Sequence, residues 1–120
     1  MAITGAHVLL YSPEADAVRA MLGTILGTHH VDAGGGWLIY ALPPAEIGVH
    51  PTATDRGDAP PHHEFSLMCD DIVVTLDEFR AKGVEVKREP RDDGFGITAT
   101  LGLPGGLHVM LYQPRHPTAI

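Results

Sequence analysis

Eight histidines among 120 residues are the compositional excess with chemical meaning, because imidazole titrates near neutrality and is a common metal ligand. Four of them form the doublets His29-His30 and His62-His63, in stretches that read as connectors, where a solvated side chain needs no further role. His7, His50 and His108 instead fall within apolar runs of strand character, and so do the carboxylates Glu46 and Glu64. Imidazoles and carboxylates that converge can exchange protons or hold a divalent ion. Other chemistries are poorly supplied. The single thiol, Cys69, cannot form an internal disulfide, and its neighbours Leu67 and Met68 suggest burial in a reducing compartment. No Gly-x-Ser-x-Gly elbow is present. Gly34 to Gly36 lack the strand and helix context of a dinucleotide loop, and Gly105-Gly106 lie between strands, so neither reads as a phosphate cradle.

The chain that must position these groups has the length of one domain and, with 44% hydrophobic and 19% charged residues, the composition of a globular one. A net charge of −7 repels phosphate backbones and anionic lipid, so neither nucleic acid nor membrane is expected as a partner. No apolar run approaches the roughly 18 residues of a membrane span, and the first residues lack the basic start of a secretory signal. The expected location is the cytoplasm.

The expected order of elements repeats. Residues 7–11 read as a strand, Ser12-Pro13 as a helix start, and Val18, Met21, Leu22, Ile25 and Leu26 as a helical stripe stopped by Gly27. A short strand near 28–32, a glycine turn at 34–36 and strands over 37–42 and 45–50 follow. Residues 51–61 are a polar, proline-rich connector. Then the pattern returns: a strand over 64–69, an N-cap at Asp70-Asp71, and a stripe of Ile72, Thr75, Leu76 and Phe79 ending at Lys82-Gly83. Strands are expected over 84–86, 97–103 and 107–112. His7 and Glu64, at the two first strands, are 57 positions apart, and the two glycine stops are 56 apart, as a duplication predicts. Module one thus covers about 5–51, the linker about 52–62 and module two about 63–114 of a single domain 1–120. Residues 1–4 and 116–120 are expected to be frayed ends.

Two βαβββ modules carrying the phrases HVLLYS, HEFSLMCDDI, FRAKGVEV and LPGGLHVMLYQP resemble the vicinal oxygen chelate superfamily, which includes glyoxalases, extradiol dioxygenases and bleomycin-resistance proteins. The resemblance implies an α+β fold in which two half-barrels face each other as a cup. It also implies up to four metal-ligand positions on the cup-facing side of the first and last strand of each module. Those positions fall on His7, Gly48, Glu64 and Met110. Glycine has no donor, and a thioether suits hard divalent ions poorly. His7 and Glu64 are therefore incomplete metal candidates. The expectation is no cofactor, with a divalent metal as the alternative.

Strand alternation sends Phe65, Leu67, Cys69, Leu107, Val109 and Leu111 toward the helix. The cup-facing set is then His7, Tyr11, Glu46, His50, Glu64, Ser66, Met68, His108, Met110 and Tyr112. These side chains make a soft, partly aromatic wall with two carboxylates. The expected function is binding of a small aromatic or cationic compound at a degenerate metal site. The alternative is a lyase, isomerase or dioxygenase-type enzyme of the same superfamily, with His7 and Glu64 as catalytic acid and base. A third reading is a partner-binding subunit with a vestigial cup. The resemblance further implies a homodimer.

Overall fold

The computed structural model describes residues 7–46, 48–49, 51–54 and 57–120. The chain opens into helix α1 (Ala15–Leu26), two residues later than a helix with Pro13 at its first position would start. Ser12 still sets up the entry: its Oγ accepts the Glu14 N–H at 3.1 Å and donates to the Pro104 carbonyl at 2.9 Å. Gly27 stops the helix in the left-handed region at φ 62°, where its N–H returns to the Gly23 carbonyl, a conformation that a Cβ would disfavour.

Strands β1 (His30–Asp32) and β2 (Leu38–Tyr40) form an antiparallel pair across the glycine turn, which the Asp32 carboxylate holds by accepting the N–H groups of Gly34 and Gly36. The strand expected over 7–11 does not form, and residues 45, 46, 48 and 49 also take no strand, while Ile47 and His50 lie outside the described residues. A strand-like pattern is not sufficient for a strand: each of these segments needs a neighbour's backbone groups, and among the described residues neither supplies them to the other. The linker carries a short hairpin of β3 (Ala53–Thr54) and β4 (Gly57–Asp58).

Module two is complete. Strand β5 (Ser66–Met68) leads to helix α2 (Ile72–Ala81), then β6 (Glu85–Asp92), β7 (Gly96–Leu103), a single 3₁₀ turn at Pro104–Gly106 and β8 (Leu107–Pro114). The sheet order is β5-β8-β7-β6, with β5 parallel to β8 and the rest antiparallel. Asp71 caps α2 by accepting the Val74 N–H at 3.1 Å. Strand β6 runs to Asp92, well past the expected 86, because it is an exposed edge whose charges and Pro90 hide it from a reading by apolar periodicity. The register slips on both sides of Arg88, so the edge is bulged.

The core lies between α2 and its sheet: Ile72, Leu76, Val84, Ala99, Leu101 and Leu111 are buried together. Helix α1 adds Val18 against Leu103 and Val109, so the helix of module one leans on the sheet of module two. Among the described residues, no helix is long and apolar enough to cross a membrane.

Candidate functional site

Because Ala99, Leu101, Val109 and Leu111 point into the core, the alternate residues of β7 and β8 line the opposite face of the sheet. Register then builds two rows across the strands. Ser66, Met110 and Thr100 form one, and Met68, Tyr112 and Thr98 the other. The Tyr112 ring lies edge-on to Phe95 at 5.7 Å and covers Gly96, where a Cβ would come within 2.4 Å of the ring. This close approach is what requires glycine there.

Over this face lies a cavity of about 810 Å³ between the two modules. Its floor includes Ser66, Met68 and Tyr112; Glu64 stands at one side, and Leu42, Pro43, Pro44, Glu46 and Gly48 form the module-one wall. Burial raises the Tyr112 phenol above its ordinary pKa, and the negative charge of Glu46 adds to the effect, which keeps the hydroxyl protonated. Glu64 sits 3.1 Å from His62 Nε2, and the Pro60 carbonyl, followed by Glu64, raises the His62 pKa.

The structure brings Glu46, Glu64, Ser66, Met68 and Tyr112 to one cavity. Met110 lies half-buried in the row beside Ser66. His108 is exposed beside Gly102 near the start of β8, Tyr11 is 82% exposed, and His50 lies outside the described residues. His7 lines a second hollow of about 300 Å³ between α1 and β2, which shares Leu42 and Phe65 with the first, while the Glu64 carboxylate has His62 as its partner. Among the described residues, no three of His, Cys, Asp and Glu converge. The residues therefore do not fit the divalent metal that the resemblance implies: of the four implied positions only His7 and Glu64 carry suitable donors, Gly48 offers none, and Met110 offers only a thioether. The Cys69 thiol is half-buried, and burial raises its pKa, which makes it a poor nucleophile.

Sequence reasoning passed over a polar cluster on the same sheet. Thr98 is fully buried, donates its hydroxyl hydrogen to Asp93 at 2.7 Å and accepts Arg88 Nη2 at 2.8 Å. The Arg91 side chain, then Thr98, holds the Asp93 carboxyl below its ordinary value. The alternation of β7 would have shown Thr98 and Thr100 opposite the core face. Residues 116–120, expected to be frayed, instead return over the cavity, where His116 and Ile120 join its lining.

This arrangement is the α+β, glyoxalase-like fold, with module two as its complete half. TnmS3, described as an antibiotic binding protein from Streptomyces sp. CB03234, superposes with a TM-score of 0.59 at 23% identity, covering 95% of this chain and 98% of its own. UcmS2 superposes at 0.60 with 18% identity, over 93% and 98% of the two chains. Lactoylglutathione lyase from Agrobacterium tumefaciens gives 0.53 and 18%, over 87% and 88%. No protein-family model matches the sequence, and no curated protein does.

Proposed function

We propose that this chain binds a small aromatic cation in the cavity between its modules and releases it unchanged. One observation carries the reading: two carboxylates, Glu46 and Glu64, share that cavity with the soft and aromatic surfaces of Met68 and Tyr112. Apolar walls with a few polar groups are the common makeup of ligand sites, and the volume of about 810 Å³ is in their range. The net charge of −7 draws a cation toward the site. Similar folds include an antibiotic binding protein and a lyase, so the fold alone does not choose between binding and catalysis. The residues favour binding, since the Glu64 carboxylate that a His7–Glu64 acid–base pair would need is paired with His62. The reading needs no cofactor, and the half-buried lone thiol suits the cytoplasm.

The partner proposed besides the ligand is a second copy. Val8, Leu9, Tyr11 and Val49 expose 45%, 55%, 82% and 97% of their surface, all in module one. The radius of gyration of 15.5 Å exceeds the ~13.6 Å of a compact domain of this length, so apolar surface remains for a homodimer to cover. Light scattering on a sizing column tests it; a monomer at all concentrations overturns it.

The ligand reading is tested by titrating the planar cation proflavine into the protein and following its fluorescence. Glu46→Gln and Glu64→Gln should each weaken binding about tenfold, the loss of one partly exposed charge contact. Equal affinity in all three proteins would sink the reading.

A further inference from the structure

Residues 115–120 are exposed but tethered at both ends. Two contacts at the far end of the sheet fix their start: the Arg115 N–H donates to the Phe95 carbonyl at 3.0 Å, and Arg115 Nη1 reaches Asp92 Oδ2 at 2.6 Å. The chain then doubles back toward the cavity. The His116 ring rests on Tyr112 at 5.7 Å between centroids, tilted by 41°. Pro117 stiffens the segment, and the Thr118 hydroxyl closes a local turn by donating to the Ile120 carbonyl at 2.8 Å. At its far end the Ala119 N–H donates to Glu46 Oε2 at 2.7 Å, joining residues 73 positions apart and crossing from module two to module one. His116 and Ile120 thereby form part of the cavity wall.

We infer that residues 115–120 form a strap along the cavity wall that, in the free protein, holds the Glu46 carboxylate and the Tyr112 ring, and that a ligand must displace it from these two groups. The inference deepens the binding reading and rests on it, because the strap takes up the two features a cationic aromatic ligand would use. Its backbone N–H engages the Glu46 carboxylate, and its imidazole covers the Tyr112 ring. Ligand cation and Ala119 N–H compete for the same oxygen, and ligand ring and His116 for the same aromatic face. The hold is weak by construction. Ala119 is exposed, Ile120 keeps 54% of its surface in water, and the crossing relies on one charge-assisted hydrogen bond and one ring contact. Such a strap lowers apparent affinity by the fraction of molecules in which it is open and does not abolish binding.

The test uses the full chain. Ala119→Pro removes the donor, and His116→Ala removes the ring contact, both at exposed positions. The double variant should bind proflavine about tenfold more tightly than the parent. Unchanged or weaker binding would overturn the strap as a competitor. A second measurement needs no ligand: amide exchange followed by NMR should show Ala119 protected in the parent and exchanging at the coil rate in Glu46→Ala. Coil-rate exchange in the parent would overturn the strap. If proflavine binds neither protein, the cation-binding reading fails, and Ala119 exchange still decides whether the strap is there.

Discussion

Gly96 offers the sharpest test of how the sheet builds the site. A Cβ there would lie 2.4 Å from Cε2 of Tyr112, 3.1 Å from its Cδ2 and 2.6 Å from the backbone oxygen of Gln113. The ring could swing away, but only by leaving Phe95 and the cavity floor. The Gln113 oxygen belongs to the β7–β8 ladder, where Ile97 pairs with Gln113 and Gly96 with Pro114, so it can yield only if the ladder opens at its end. Gly96→Ala therefore over-packs a rigid corner, for which the ordinary cost is about 1–3 kcal/mol. With a urea slope of roughly 1–3 kcal/mol per molar, the unfolding midpoint should fall by about 1 M with the slope unchanged. Proflavine binding should weaken as well, since the Tyr112 ring is displaced. Gly48→Ala is the control, because a Cβ there meets nothing within 4 Å; its stability should stay within about 0.5 kcal/mol of the parent's. A Gly96→Ala midpoint equal to that of the control would refute the argument that the ring and ladder fix this corner.

Thr98→Val removes a buried hydroxyl between Arg88 and Asp93, and leaving those partners unsatisfied should cost about 1–3 kcal/mol by urea unfolding. Asp71→Ala deletes the α2 cap and should cost about 1 kcal/mol, read as a lowered melting temperature. The Arg115 side chain, then the Gly94 N–H, holds the Asp92 carboxyl below its ordinary 3.8. A depressed folded value means stability that is present above the unfolded pKa and lost as pH falls through the folded one, so the parent should lose stability below about pH 4 and Arg115→Ala should lose less of it there. Amide exchange should be slowest in β7 and β8, which carry the core, and fastest in β1 and β2; uniform exchange would count against this division of the molecule.

The parts of this fold legible in the sequence are those whose causes are local. Gly27 and the Asp71 cap act within a turn of their helices, and the Ile72–Leu76–Phe79 stripe is a single helix face, so spacing alone announces them. The alternation of β8 likewise separates Val109 and Leu111 from Met110 and Tyr112 without any knowledge of the neighbouring strand. What spacing cannot supply is the partner. Residues 7–11 are an apolar, β-branched run of strand character but meet no ladder, and β6 forms one although its exposed charges show little periodicity. Of the cup-facing candidates, those on β5 and β8 share their sheet, whereas His7 sits on a segment that takes no strand and lines the neighbouring hollow. The strap lay beyond such reasoning altogether, because its anchor Glu46 is 73 positions away from Ala119.

The asymmetry between the modules bears directly on binding. Among the described residues, every buried hydrophobic residue but Val18 lies from Ile72 to Tyr112, so module two carries the stability and α1 borrows its packing from Leu103 and Val109. The cavity therefore has two unlike walls. One is a sheet face whose Tyr112 is locked by Phe95 and Gly96, and whose rows are set by hydrogen-bonded register. The other, residues 42–46 and 48, has no ladder and no buried side chain among the described residues, so it can shift without disturbing a core contact. A rigid aromatic floor limits the entropy lost on binding, while a strandless wall bearing Glu46 adapts to the ligand's outline and charge. Selectivity for a flat ring should thus reside in module two, and tolerance of different cationic substituents in module one.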